Sequence, residues 1–137
     1  MPAVKELIRT EQNGTLSFGD YTLGAKSKLQ DYEFNGDLYK VKTYCDITKL
    51  ERNGMFVYES VPGTAVNEFE ADDTGVHFIV EGSQDAQITL ELEDDTEYDV
   101  RIGEEDAGMI KANMSGKLTL SVELSEGEST VVEVKKR

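Results

Sequence analysis

The chain carries one histidine, one cysteine and 28 carboxylates, so any chemistry it performs has to be built mainly from Asp and Glu. His77 lies between Val76 and Phe78, whose alternation faces an interior, and it therefore projects to solvent. A catalytic base of this kind needs an orienting carboxylate, which a sequence does not show. Cys45 falls in phase with Tyr39, Val41 and Thr43, which predicts a buried and inert thiol rather than a reactive one. The adjacent acids Asp72 and Asp73, Asp94 and Asp95, and Glu104, Glu105 and Asp106 cannot face each other across a sugar as a glycosidase pair must. They read as solvated turn residues. Residues 70–75 and 93–97 are nonetheless rich enough in hard oxygen ligands to suit calcium if two turns converged, although no EF-hand loop is present.

Other chemistries lack their parts. The lone cysteine excludes an intramolecular disulfide, a zinc site and a redox pair. The glycines are spaced singly and none opens a phosphate cradle followed by Lys and Ser or Thr. Tyr32 with Phe34, and Phe56 with Tyr58, each alternate onto one face and could stack a sugar. With few other large apolar side chains in this part of the chain and no Trp, they read as core. The expectation is a chain with no catalytic residue, no metal and no cofactor.

Charge narrows the partners. A net charge of −14 repels phosphates, which argues against nucleic acid and anionic membrane surfaces. The first residues mix charges into their only apolar stretch, unlike a secretory signal, and no window is long and apolar enough to span a membrane. A cytoplasmic location is expected.

The elements that must position these side chains have period two. Asn13-Gly14, Asn35-Gly36 and Asn53-Gly54 read as hairpin turns, flanked by strands at about 6–12, 15–23, 29–34, 37–45 and 55–61, with Gly19 or Gly24 bending the second. A short helix of one or two turns is predicted at 46–52, where Ile47 and Leu50 stand three apart behind a capping Asp46. Further on, Val76, Phe78 and Val80; Ile88, Leu90 and Leu92; Tyr98, Val100 and Ile102; Leu118, Leu120, Val122 and Leu124; and Val132 with Val134 alternate between glycine-marked turns. Short strands with turns at this spacing predict an all-β antiparallel β-sandwich, with more than about 40% strand and less than about 10% helix against ordinary proportions.

Pro62-Gly63 divides the chain into a hairpin-rich, aromatic part (1–61) and an acidic part (62–137), forming two small β subdomains or one continuous domain. Residues 1–60 hold eight basic and nine acidic side chains, and 61–137 hold six and nineteen. Eight of the eleven aromatics precede the division.

The run Gly54-Met-Phe-Val-Tyr-Glu-Ser-Val-Pro-Gly-Thr-Ala-Val, with Ile88-Thr-Leu-Glu-Leu and Gly116-Lys-Leu-Thr-Leu-Ser-Val-Glu-Leu, resembles short bacterial proteins that carry the label "endosialidase". The resemblance implies hydrolysis of sialic acid polymers. Sialidases grip the substrate carboxylate with clustered arginines on a large propeller, and this chain has only Arg9, Arg52, Arg101 and Arg137. The shared motifs are strands and turns, so no catalytic residue carries over. The reading that follows is a soluble, non-enzymatic module that binds or assembles with protein, itself or another, through β edges. The alternatives are a carbohydrate-binding module, with or without calcium, and a small sialic acid hydrolase.

Residues 68–106 hold fifteen carboxylates and one base, Arg101, and such a segment repels itself. Thermal melts should therefore rise from low to moderate sodium chloride as the repulsion is screened. Calcium at matched ionic strength should add nothing; a further rise of several degrees, lost on replacing Asp72 and Asp73 or Asp94 and Asp95 with Asn, would establish a calcium site instead.

Overall fold

The computed structural model describes residues 3–137 and is all-β, with no helix among them and 61% of residues in strands. The thirteen strands are β1 Ile8–Thr10, β2 Leu16–Phe18, β3 Ser27–Phe34, β4 Asp37–Tyr44, β5 Ile47–Arg52, β6 Met55–Val61, β7 Ala65–Asp72, β8 Gly75–Glu81, β9 Ala86–Glu91, β10 Glu97–Ile102, β11 Glu105–Lys111, β12 Lys117–Val122 and β13 Ser129–Lys136. They form two antiparallel sheets, one ordered β1-β2-β7-β8-β13-β10-β11 and the other β12-β9-β6-β5-β4-β3. Residues on both sides of Pro62 enter both sheets and one core cluster.

Period-two alternation explains most of this core. Val76, Phe78 and Val80 of β8, Tyr98 and Val100 of β10, and Leu118, Leu120 and Val122 of β12 are buried, while the residues between them face outward. Phe18, Tyr58 and Phe78 join the halves edge to face, with ring centroids 5.2 Å apart for Phe18 and Tyr58 and 5.7 Å apart for Tyr58 and Phe78. Edge-to-face contact is the favourable orientation of two ring quadrupoles.

The chain passes from one sheet to the other at 62–64, where a chain of buried hydroxyls holds it. Thr64 Oγ1 lies 2.8 Å from the Tyr58 hydroxyl and 2.7 Å from Ser60 Oγ. Thr64 N donates to Thr48 Oγ1, which donates back to Thr64 O. Thr43 Oγ1 lies 2.8 Å from Thr48 Oγ1 and accepts from Asp20 N. Thr43, Thr48, Tyr58, Ser60 and Thr64 are all fully buried, and burial pushes the Tyr58 phenol far above its usual pKa. Gly63 is required beside them, because a Cβ there would lie 2.0 Å from Tyr44 O.

Several local expectations are corrected. The helix at 46–52 is strand β5: its period-three spacing is accidental, and Thr48 and Leu50 alternate inward while β4 and β6 supply its backbone partners. Cys45 is exposed. Strand β4 ends at Tyr44, which pairs with Ile47, so Cys45 and Asp46 form the turn and the face rule no longer applies at 45. Phe56 and Tyr58 do not share a face, because the register slips between Leu50 and Glu51 and leaves Val57 as an extra residue. Gly19, with φ +97°, lies beyond the end of β2 at Phe18 rather than bending a longer strand. Asn35-Gly36 and Asn53-Gly54 have positive φ at both positions, as a type I′ turn demands, whereas at Asn13-Gly14 only the glycine does.

Two measurements check these assignments. The Cys45 thiol, which lies 3.7 Å from Asp46 Oδ1, should react with a thiol reagent in the native protein at a rate close to that of free cysteine; protection until unfolding would contradict its exposure. Thr64→Val keeps the shape and removes the hydroxyl shared by Tyr58 and Ser60. It should cost about 1–3 kcal/mol, or roughly 3–10 °C in Tm, and an unchanged melt would show that the network contributes nothing.

Candidate functional site

The residues singled out for chemistry do not assemble into a catalytic group. His77 is exposed on the outer face of β8, in register with Glu70 on β7 and Glu133 on β13. Arg9 is on β1, where it bonds Glu6, Glu11 and Asn67, and Arg137 pairs with Asp99 at 3.2 Å. Arg101 donates to the backbone carbonyl of Glu104 at 3.4 Å and makes no ion pair among the described residues. The four arginines thus stand on separate elements. Of the fifteen carboxylates in 68–106, only Glu81 is buried and only Glu68 and Glu91 are half-buried.

The acidic turns 70–75 and 93–97 do meet, at one end of the sandwich. There the two sheets part around a cleft of about 710 Å³, with Arg52, Asp72, Asp73, Glu93 and Lys136 at its rim and Phe69, Val76, Leu90 and Tyr98 within. Asp72 Oδ1 accepts from Thr74 N at 2.8 Å and Thr74 Oγ1 at 2.6 Å. Those donors hold the Asp72 carboxyl below its usual pKa, which makes it a standing anion and a poor general acid. Glu93 pairs with Lys136, whose ammonium is held above its usual pKa mainly by that hydrogen bond. Asp95 pairs with Lys111 at 3.7 Å. Asp72, Glu93 and Asp95 are thus engaged by turn donors and lysines, and among the described residues no group of three or more His, Cys, Asp or Glu is arranged to hold a metal ion.

The cleft also presents little aromatic surface. Phe69 and Tyr98 are buried in the core, the Tyr98 hydroxyl accepting from Glu93 N at 3.1 Å. The Phe56 ring has Lys117 Nζ 4.7 Å from its centroid, with the same ammonium 2.8 Å from Glu91 Oε1. Elsewhere Tyr32 and Phe34 are half-buried against the core.

The free sheet edges are the remaining surfaces with unspent binding capacity, because edge strands expose N–H and C=O groups. Three of the four are blunted. Edge strand β1 is only three residues long. On β3, Gln30 and Asp31 bulge where Leu29 pairs with Val41 and Tyr32 with Tyr39, and Asp31 takes φ +59°. On β11, Ala107 bulges between Asp106 and Gly108.

Edge strand β12 is covered only at its first residue, where Asn113 takes up the N–H and C=O of Lys117. Its six residues pair with β9 in unbroken register from Lys117 and Glu91 to Val122 and Ala86. The direction of its backbone groups follows from its ends. Gly116 O accepts from Leu92 N, whereas Lys117 N donates to Asn113 Oδ1 and Lys117 O accepts from Asn113 N. Antiparallel strands alternate between inward and outward hydrogen-bonding residues. Hence Leu118, Leu120 and Val122 exchange bonds with β9, and the N–H and C=O of Thr119 and Ser121 point out from the sheet. Their side chains are exposed.

Periodicity alone could not reveal this site, since an edge is defined by which strands stay unpaired. The signal that was legible is composition: Lys117-Leu-Thr-Leu-Ser-Val alternates cleanly and lacks the glycine, proline or repeated charge that protects an edge. The chain matches no family model, no curated protein and no solved structure.

Proposed function

We propose that the protein is a non-catalytic binding module that takes up an extended segment of a protein partner alongside β12. The observation that carries this reading is that β12 alone among the four edges is regular and, beyond the Lys117 end that Asn113 covers, leaves the N–H and C=O of Thr119 and Ser121 facing out. Strand addition draws affinity from main-chain hydrogen bonds and specificity from alternate side chains. Thr119 and Ser121 supply the former. Lys117, Thr119 and Ser121, all on the outer face, supply the latter. A carbohydrate or sialic acid polymer finds less support, since the rings of the end cleft are buried and the arginines are dispersed.

The test is selection from a displayed library of random extended peptides, comparing the native chain with Ser121→Pro. Proline at an edge position whose N–H faces solvent leaves the sheet intact but removes the donor. The native chain should enrich peptides of alternating apolar and polar residues with high β propensity. Ser121→Pro, folded by its circular dichroism and melt, should bind them at least tenfold more weakly. Enriched peptides that bind both chains equally, or a library that yields none, would overturn this function.

A further inference from the structure

We infer that the end cleft binds a short zwitterionic peptide with apolar side chains, its C-terminal carboxylate on Arg52 and its N-terminal ammonium on Asp72 and Asp73. This goes beyond the reading of β12 and concerns a separate surface. One margin of the cleft is closed by the protein itself. There Lys136 of β13 pairs with Glu93, just past β9 in the facing sheet, and the Tyr98 hydroxyl of β10 accepts from Glu93 N. Strands β10 and β13 are neighbours, so these contacts bridge the two layers along one side.

The other margin has opposite charges that do not meet. Arg52 ends β5 in one sheet, Asp72 ends β7 in the other with Asp73 next to it, and all three line the cleft. The side chains of Arg52 and Asp73 make no hydrogen bond or ion pair among the described residues. Asp72 Oδ1 takes the two donors of Thr74, and a carboxylate has sites for more. A cation and two anions thus stand on opposite lips without bonding each other. Between the lips, partly exposed Val57 and Leu92 lie over buried Phe69, Val76 and Leu90.

Charge selects the ligand. A carboxylate alone gains Arg52, whose fork takes it bidentately, but is repelled by Asp72, Asp73 and Glu93. An amine alone leaves the guanidinium unmatched. A molecule with both charges meets each lip with its opposite, as the Lys136 and Glu93 pair does on the closed side. Length narrows the choice. Packed sheets lie about 10 Å apart, a gap that about three residues of extended chain span. A cleft of about 710 Å³ is of the size that encloses small ligands, and apolar side chains withdrawn from water between the sheets supply the affinity.

Isothermal titration with tri-leucine, its N-acetyl form, its C-terminal amide and tri-serine tests the inference. The native chain should bind tri-leucine, should bind each capped form at least tenfold more weakly, and should not bind tri-serine. Arg52→Gln should bind the amide and the free acid equally. Asp72→Asn with Asp73→Asn should likewise bind the acetylated and free peptides equally, and Asp73→Asn alone, whose carboxylate has no bond to lose, should narrow that difference without affecting the fold. Ser121→Pro should bind tri-leucine as the native chain does, which separates the cleft from the β12 edge. No heat of binding at millimolar tri-leucine would overturn the inference. Capped peptides that bind as well as the free one, or variants that keep the native discrimination between them, would overturn it equally, since the two lips would then not read the two termini.

Discussion

The chain's passage between its two sheets depends on a row of buried hydroxyls. At 62–64 the backbone leaves β6 and enters β7 in the opposite layer, and its polar groups there have no ladder partner. Thr64 lies at the join, its backbone N–H and C=O both met by the single hydroxyl of Thr48 and its side chain shared by Tyr58 and Ser60. Thr43 extends the row to Asp20 N, tying the loop after β2 to the same point. Unpaired polar groups at this depth would each carry a full desolvation penalty, so the crossing works because every named group is satisfied. The Tyr58 ring meanwhile packs against Phe18 and Phe78, which joins the polar row to the aromatic core.

Much of the architecture was legible because alternation is a direct consequence of a half-buried strand. Strands β8, β9, β10, β12 and β13 are each read correctly from apolar residues two apart. The misreadings have local physical causes. Strand β7 buries Asn67 and takes positive φ at Glu68, so its pattern is neither apolar nor regular. Strand β11 is exposed along nearly its whole length and has no inner face to advertise. Cys45 and Phe56 were misplaced by a turn and a bulge, each of which shifts phase by a residue without leaving a mark in composition. The docking edge was not legible as such, because pairing between distant strands decides which ones remain free.

The charge distribution has a similar logic. Four lysines, Lys28, Lys40, Lys42 and Lys49, gather on the outer face of β3, β4 and β5, where Lys28 pairs with Lys42 and Lys42 with Lys49. Cations directly opposite one another repel, but a net charge of −14 sets a negative field in which their clustering costs less. At the cleft end three acids have local partners, Lys111 for Asp95, Lys136 for Glu93 and Arg137 for Asp99, while Asp72, Asp73, Asp94 and Glu97 make no ion pair among the described residues. At the opposite end Glu104, Glu105, Asp106, Glu123, Glu126 and Glu128 make none either, so the self-repulsion acts at both ends of the sandwich.

Charge bears on how the edges are protected. Repulsion between acidic copies keeps them apart when they approach in most orientations, while the bulges of β3 and β11 and the brevity of β1 remove three of the four templates for strand pairing. On β12 the turn at 113–116 covers the Lys117 end, so within the strand only Thr119 and Ser121 present outward N–H and C=O groups. Regularity of an edge is ordinarily an aggregation hazard, because an unguarded ladder accepts any extended chain. A ladder of two outward residues, capped at one end by its own chain, limits what can pair there to a short segment, which is a physical reason for a sequence to blunt three edges and keep only part of the fourth open.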